Sequence, residues 1–311
     1  MLDQAWFDKR KGMEASGRSH SLIPTKTKKN NDKYILFFIR IFEFLLKISG
    51  IYLLLNQKAL DIKKTELSLK LKNFPLDMGA LRIAQLSDLH IDERPDITDK
   101  IITLLKDEEI DFLFITGDFV SFYGPHREDI STLTNPIEKI LKNVKTKYGV
   151  YAVPGNHDSA HVIKTLADKF DIKFLINERV EVKINNQILQ LIGTDDIYYY
   201  YTEEALEIFD TLTNDFSIAL IHSPDLHNFA HEKGIDFYLC GHTHAGQVSL
   251  PGGKAIITQT LFKHDKYKGI WNIGKMTGYT SSGVGTCASS IRLNTRGEVV
   301  IFELSPQKNT P

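Results

Sequence analysis

The sequence contains very little cysteine: only Cys240 and Cys287 occur among its 311 residues. Two cysteines are too few for a disulfide framework, and Cys240 ends an apolar, strand-like run in which a small buried side chain packs well. We therefore predict two reduced structural cysteines rather than a stapled fold.

A strong excess of either charge is also missing, since the formal net charge is -1. A balanced chain has no general attraction to polyanions, which argues against a nucleic-acid partner and against a nuclease. Apolar residues make up 42% and charged residues 25% of the sequence, the composition of an ordinary globular protein. The length fits one large catalytic domain with an appendage.

A long apolar run free of charges is missing as well. The most apolar stretch, residues 34–55, is as long as a membrane-spanning helix but contains Arg40, Glu43 and Lys47. Each charge costs about 2.5–3.5 kcal/mol at a bilayer centre, which nearly cancels the gain from the apolar residues. Their spacing of three and four places them on one helical stripe, which predicts an amphipathic helix over residues 34–57 that lies in the lipid interface. A spanning helix and a soluble helix packed on the domain are the alternatives.

The segments on either side of this helix differ in character. Residues 1–33 are polar and net basic, which predicts a disordered basic arm. Residues 58–311 are predicted to form the catalytic domain.

From residue 81 onward, five apolar runs each end in small and metal-competent residues. The runs are residues 83–86, 112–115, 150–153, 218–221 and 237–240. Helix-like segments at 96–107, 130–143 and 161–170 alternate with them, which is typical of βαβ units. Such sheets build their sites at the carboxyl ends of strands. The residues found there are Asp88, His90, Asp118, Asn156, His157, Asp158, His222, His242 and His244.

Together these clusters supply carboxylate, amide and imidazole ligands without sulfur. This donor set favours Mn²⁺, Fe or Zn²⁺ in a catalytic site. His242 and His244 are one residue apart and cannot easily chelate one ion from one strand end, but each can face a different ion of a pair. The glycines around them allow the backbone to turn sharply. The sequence therefore predicts a two-metal site.

The ordered motifs D-x-H, G-D, G-N-H-D, a later H and G-H-T-H, within residues 80–305, resemble the signature of calcineurin-like metallophosphoesterases. The resemblance implies an α/β fold, a two-sheet β-sandwich flanked by helices, with two divalent metal ions that are Mn²⁺ or else Fe or Zn²⁺. It assigns Asp88, His90 and His244 to one ion. It assigns Asn156, His222 and His242 to the other, with Asp118 as the bridge.

The same resemblance makes His157 a catalytic residue that faces the substrate as an acid or charge stabiliser. Two ions about 3.5–4 Å apart would activate a water and clamp the phosphoryl oxygens. Asp158 has two interpretations: it orients a neighbouring histidine, or it caps a helix that begins near Ser159.

The stretches SDLH and GHTHAGQVSLP resemble the membrane-associated group that contains the YkuE and YaeI phosphodiesterases and the UDP-2,3-diacylglucosamine pyrophosphatase LpxG. The run GYTSSGVGTCASSIR is similar to that group's glycine-rich run, whereas Ala245 replaces its usual glycine. The resemblance implies hydrolysis of UDP-2,3-diacylglucosamine to UMP and 2,3-diacylglucosamine 1-phosphate (lipid X) in lipid A synthesis. Because UDP-sugars are cytoplasmic, we expect the catalytic domain of a peripheral or single-pass protein on the cytoplasmic face of the membrane.

Two other functions are weighed against this one. The first is a general phosphodiesterase or phosphatase of the cell envelope. The second, from a different class, is a non-catalytic membrane scaffold, which the complete set of ligand residues disfavours.

Substrate contacts are expected in residues 260–271, where lysines and aromatic side chains suit a diphosphate and an acyl chain, and at the end of the glycine-rich run. A solvated loop is the alternative for the first segment. The tyrosine cluster at 198–201 either belongs to a surface loop or lines a ligand groove. The candidate contacts are Lys263, Lys266, Tyr267 and Arg292.

Overall fold

A computed structural model of the protein describes residues 2–16, 20–22, 40–121, 130–258, 260 and 265–307. Within these ranges, two mixed sheets of six strands each pack face to face, and helices cover the outer faces. This arrangement confirms the predicted two-sheet sandwich flanked by helices.

The first sheet has the strand order β1-β12-β2-β3-β4-β5. Strands β2 to β5 run parallel, and β12 is antiparallel to β2. The strands are β1 (Lys63–Leu71), β2 (Leu81–Leu86), β3 (Phe112–Thr116), β4 (Val150–Val153), β5 (Ile172–Phe174) and β12 (Glu298–Pro306). The helices between the parallel strands are α4 (Ile97–Leu105), α5 (Ser131–Asn143) and α6 (Ala160–Lys169).

The second sheet has the order β10-β11-β9-β8-β7-β6, with β7, β8, β9 and β11 parallel. The strands are β6 (Glu178–Ile184), β7 (Gln187–Gly193), β8 (Phe216–Leu220), β9 (Phe237–Cys240), β10 (Gly269–Ile273) and β11 (Met276–Thr280). Two short helices lie on its outer face, α7 (Glu204–Glu207) and α8 (His227–Glu232).

Three apolar clusters follow from this layering. In α4, Ile97, Ile101 and Leu105 recur every four residues and so pack one helix face against the first sheet. Alternate strand residues such as Phe112 and Phe114 point inward to the core between the sheets. The third cluster lies under α8. The strand and helix positions predicted from residue 81 onward agree with these elements to within about two residues.

The N-terminal prediction needs correction, because part of residues 1–33 is ordered. Helix α1 (Gln4–Ala15) begins after Asp3, whose carboxylate accepts a hydrogen bond from the backbone N–H of Trp6. It packs against α6 and buries Arg10 and Met13. Residues 17–19 and 23–33 lie outside the described ranges.

The helix predicted over residues 34–57 is interrupted. Residues 40–48 form α2, a turn follows at 49–50, and α3 (Ile51–Lys58) begins after Gly50, whose φ of 75° ends the first helix. A continuous helix is therefore wrong at this point, and residues 34–39 lie outside the described ranges. Within the part of the chain that the structure describes, no helix has both the length and the apolar character needed to cross a bilayer.

Candidate metal centre

The loops after five strands bring their polar side chains to one place between the sheets. Strands β2, β3 and β4 approach from the first sheet, and β8 and β9 approach from the second. The seven side chains gathered there are buried and comprise Asp88, His90, Asp118, Asn156, His222, His242 and His244.

One group consists of Asp88, His90 and His244, whose candidate ligand atoms lie within 4.8 Å of one another. The Nε2 atoms of His90 and His244 are 3.2 Å apart, and Nε2 of His244 is 3.5 Å from Asp88 Oδ1. Asp88 is held in place by Ser87 Oγ and by the backbone N–H of His242, which both donate to its carboxylate.

The other group consists of Asp118, His222 and His242, and Asn156 completes it. Nε2 of His222 lies 3.1 Å from Asn156 Oδ1, 3.2 Å from His242 Nδ1 and 3.3 Å from Asp118 Oδ2. The same Asp118 Oδ2 is 3.7 Å from His90 Nε2. Asp118 therefore stands between the two groups.

The hydrogen bonds of the histidine rings test whether cations fit. Nδ1 of His90 contacts the Val120 carbonyl, and Nδ1 of His222 contacts the Thr116 carbonyl. A carbonyl oxygen only accepts, so each Nδ1 carries hydrogen and each Nε2 presents a lone pair in the neutral ring. Lone pairs of imidazole, amide and carboxylate therefore converge, an arrangement that bound cations would satisfy. The donor set fits two divalent ions, and without sulfur it suits Mn²⁺, Fe or Zn²⁺.

The pKa shifts of the buried groups also indicate a site that favours positive charge. Burial opposes protonation of His222, but the nearby Asp118 carboxylate outweighs it and raises the pKa of His222 to about 10. Burial lowers the pKa of His90 to about 4 and raises the pKa of Asp88 to about 6. A proton thus occupies His222 in the absence of metal, and an ion that binds there displaces it.

The backbone around these ligands is unusual. Five of them have positive φ angles between 43° and 69°, in the left-handed region that L-residues rarely adopt. Ala245, with φ of 53°, shares this conformation, so the replacement of the usual glycine there carries strain. The five ligands are Asp88, His90, Asp118, His242 and His244.

Close approach explains one flanking glycine. A Cβ on Gly241 would lie 1.9 Å from Ser87 Oγ and 2.2 Å from Asp88 Oδ2. Only glycine therefore lets the loop after β9 reach the loop after β2.

His157 lies beside the centre, at the position predicted for a catalytic residue. Its Nδ1 donates to the Ser121 carbonyl at 2.7 Å, and its Nε2 lies 3.5 Å from Cys287 Sγ. Burial opposes protonation, but the charge of Asp118 raises the pKa of His157 well above its ordinary value. The thiol beside His157 is a site feature that sequence reasoning missed, although it lies in the glycine-rich run. Cys240 is a buried free thiol, as predicted.

Asp158 has a third role that neither sequence interpretation included. Its buried carboxylate accepts hydrogen bonds from the backbone N–H groups of Asp118, Phe119 and Gly155, at 2.8–2.9 Å. It thereby joins the loops after β3 and β4. The cap of α6 is Ser159, whose hydroxyl accepts from the N–H of Val162.

The prediction of Arg292 as a substrate contact is wrong, because its side chain is fully buried. Its guanidinium donates to the main-chain carbonyls of Ser282, Gly283, Gly285 and His244. Through these bonds, Arg292 holds the glycine-rich loop against the loop that carries His244.

Two of the other predicted contacts, Lys266 and Tyr267, are described, and the carbonyl of Tyr267 accepts a hydrogen bond from Oγ1 of Thr243, which lies between His242 and His244. Lys266 Nζ pairs with Asp265, and the hydroxyl of Tyr267 lies 3.5 Å from the carbonyl of Gly253. Lys263 falls among the residues that the structure does not describe. Within the tyrosine cluster Tyr198 and Tyr200 are buried, so the surface-loop interpretation is wrong for both, and the ring of Tyr198 lies 4.5 Å from that of His242.

Metal binding should be visible in thermal stability. At an ion concentration of 100 Kd, a single site stabilises the folded state by about 2.7 kcal/mol. For a domain of this size, that raises the melting temperature by about 5–10 °C. Scanning calorimetry with Mn²⁺ and with a chelator measures the shift. Asp118→Ala should lose most of it, and an equal shift in that variant would argue against the centre.

Comparison with known proteins agrees with this geometry. The profile of the family described as calcineurin-like phosphoesterase matches residues 81–246, a span that contains both groups. The uncharacterized metallophosphoesterase YkoQ of Bacillus subtilis is 27% identical over 256 residues, covering 80% of this chain and 93% of that protein. YkuE of the same organism is 24% identical over 253 residues, or 78% and 85% of the two chains. The phosphodiesterase YaeI of Escherichia coli is 25% identical over 246 residues, or 76% and 86%.

Proposed function

The chain belongs to the calcineurin-like phosphoesterase family, and from that premise we propose that it hydrolyses a phosphodiester or diphosphate in a lipid-linked substrate at a membrane surface. The coarser activity, metal-dependent hydrolysis of phosphoesters, follows from the family and from its phosphodiesterase and metallophosphoesterase relatives. What the proposal adds is the lipid and the interface.

The residues of the centre would have different roles in such a reaction. Two bound divalent ions would supply an activated water and a clamp for the phosphoryl oxygens. Asp88, His90 and His244 would hold one ion, Asn156, His222 and His242 the other, and Asp118 both. His157 keeps Nδ1 bonded to a carbonyl, so its Nε2 is the atom that can give a proton to the leaving oxygen.

The observation that carries the lipid proposal is the orientation of α2 and α3. On an ordinary amphipathic helix the charges face water, but here the Glu43 side chain is only 20% exposed, whereas Ile48 is 70% and Leu53 71% exposed. Glu43 pairs with Lys47, whose ammonium lies 4.8 Å from the ring centre of Tyr52. Glu43 is thus shielded by its partners, whereas the apolar side chains share the outer surface with the exposed cations Arg40 and Lys47.

This exposed surface is anchored beside the candidate metal centre. Asn56 Nδ2 donates to the Ser290 carbonyl at 2.8 Å, and the side chain of the neighbouring Leu55 is buried. Ser290 lies three residues after Cys287, whose Sγ is 3.5 Å from Nε2 of His157. A substrate whose acyl chains remain in the lipid could therefore present its phosphate to the centre. Exposed large apolar side chains of α2 and α3 are Ile41, Phe42, Phe44, Leu45, Ile48, Ile51, Leu53 and Leu54.

The specific substrate we propose is UDP-2,3-diacylglucosamine, which joins two acyl chains to a diphosphate. Its cleavage to UMP and 2,3-diacylglucosamine 1-phosphate would occur on the cytoplasmic face, where UDP-sugars are found. The similarity to the phosphodiesterase YaeI favours the second candidate, a general phosphodiesterase of the cell envelope.

A substitution test separates these candidates. Leu45→Ser, Ile48→Ser and Leu53→Ser together remove apolar area that an interface would bury, about 1.5–3 kcal/mol for each side chain at full burial. Because insertion is only partial, we expect UMP release from UDP-2,3-diacylglucosamine in mixed micelles to fall about 10²-fold. Hydrolysis of a water-soluble chromogenic diester should stay within about twofold, and vesicle flotation should be lost. Truncation is unsuitable because it also removes α1.

The control carries Leu76→Ser, which changes an exposed apolar residue outside α2 and α3 and outside residues 260–271. It should retain both activities. If the triple variant fails to float yet hydrolyses the lipid at the normal rate, the membrane proposal is wrong. If the unmodified protein cleaves only the soluble diester, the general phosphodiesterase replaces the pyrophosphatase.

A further inference from the structure

Helix α1 brings a buried cation to the edge of the candidate metal centre. Most of the helix is polar and exposed, and besides Met13 its buried residue is Arg10, at 1% exposure. An arginine is rarely this buried unless its positive charge is paired with a carboxylate. Its contacts are therefore informative.

The guanidinium of Arg10 reaches loops from both sheets. It forms an ion pair with the buried carboxylate of Asp195, which follows β7 in the second sheet. Its Nη2 donates to the carbonyl of Asp158 at 2.7 Å, in the loop after β4 of the first sheet. Its Cζ lies 3.7 Å from the ring centre of Tyr200.

Each of these loops leads directly to candidate ligands. The Asp158 carboxylate holds the backbone N–H of Asp118, and Asp158 follows His157. On the other side, Asp195 accepts from the N–H of Asp196, whose own carboxylate accepts from the N–H of Tyr198. The Tyr198 ring packs against His242.

We propose that Arg10 is a positioning residue for hydrolysis, which acts through Asp158 and Asp195 to set the distance between the ligand loops of the two sheets. The proposal rests on the proposed two-metal function. Arg10 touches neither the substrate nor the ions in this role. A fork of N–H donors in fixed geometry suits it, because one group can hold a carboxylate and a carbonyl at once.

Positioning and mere stabilisation make different demands on a variant. If Arg10 only neutralises Asp195, removal of both charges should restore whatever was lost, because no unpaired buried charge remains. If Arg10 also fixes the loops, the same double variant should regain stability but not turnover, since misplacement by about 1 Å can cost about 10²-fold in rate.

The experiment compares full-length variants with bound Mn²⁺ on the soluble chromogenic diester. We expect Arg10→Met to lower kcat about 10–100-fold, leave KM within about threefold, and weaken Mn²⁺ binding about tenfold. Lys9→Met is the matched control, because Lys9 is an exposed neighbour on the same helix that pairs with the exposed Glu204. It should stay within about twofold.

The double variant Arg10→Met, Asp195→Asn decides between the two roles. Recovery of the melting temperature without recovery of kcat supports positioning, whereas joint recovery overturns it. Normal kcat and normal Mn²⁺ affinity in Arg10→Met, measured well below its melting temperature, would also overturn it.

Arg10→Lys carries the same test if Arg10→Met does not fold. An ammonium keeps the charge but lacks the fork, so about tenfold lower kcat supports positioning and an unchanged kcat overturns it. Failure of the proposed function is distinguishable, because the unmodified protein would then bind Mn²⁺ without cleaving any phosphoester.

Discussion

Asp118→Ala is expected to reduce phosphoester hydrolysis by at least about 10³-fold while the protein stays folded. One carboxylate oxygen of Asp118 faces His222 and His90, and the other accepts a hydrogen bond from the N–H of His157 at 2.8 Å. The substitution therefore removes the bridge between the two ligand groups and loosens the catalytic histidine together. Steady-state rates in Mn²⁺-replete buffer and metal analysis by mass spectrometry measure both effects.

Two further variants make this result specific. Asp118→Asn keeps the shape and tolerates the left-handed backbone, so it should be better folded than the alanine variant but almost as inactive. Asp111→Asn is the control, because Asp111 accepts from the N–H of Arg82 at the opposite end of the strands. It should keep normal turnover. Substantial activity in Asp118→Ala would argue against a two-metal mechanism.

His157→Ala is expected to slow the chemical step by about 10²–10⁴-fold and to leave the metal content near normal. The reason is that the two ligand groups already supply seven side chains without His157, whose nitrogens face a carbonyl and a thiol and whose ring packs edge-on against that of His90, with centroids 5.1 Å apart. Single-turnover rates separate the chemical step from binding and release. The pKa of His157 is raised, so its contribution as an acid should be present at neutral pH and decline in alkaline buffer.

Cys287→Ala tests whether the neighbouring thiol shares this role. Its Sγ contacts His157, so its loss should change turnover by no more than a few-fold if the imidazole is the proton donor. Loss of metal from His157→Ala would instead identify the histidine as a ligand. That outcome would leave the proposed acid unassigned.

The sequence predicts the strands, the helices between them and the ligand candidates because these signals are local. An apolar run marks each strand, and the ligands follow within four residues of its end, as Asp88 and His90 follow β2 and His244 follows β9. Parallel strands bring the clusters of each sheet to one edge of that sheet. The face-to-face packing of the two sheets then brings both sets of ligands together.

The features that sequence reasoning missed depend on contacts between distant residues. Arg10 and Asp195 are 185 positions apart, so the polar pattern of α1 resembles a solvated arm. Arg292 resembles a substrate contact until its carbonyl partners are known, because one of these partners belongs to His244, which is distant in the sequence. The burial of Tyr200 under Arg10 could not be predicted either, because these two residues are also far apart in the sequence.

The left-handed backbone at five candidate ligands has a consequence for protein engineering. Each such residue costs about 1–3 kcal/mol relative to a relaxed conformation, and glycine would remove that cost. A redesign that ranks substitutions by backbone fit alone would therefore select glycine at Asp88, His90, Asp118, His242 and His244, and at Ala245. The same choices would remove the candidate ligands one after another. Thermostability libraries for this fold should keep these positions fixed and seek their gains elsewhere, for example at Asn185, which has a positive φ and whose amide contacts the carbonyls of Asp77 and Met78.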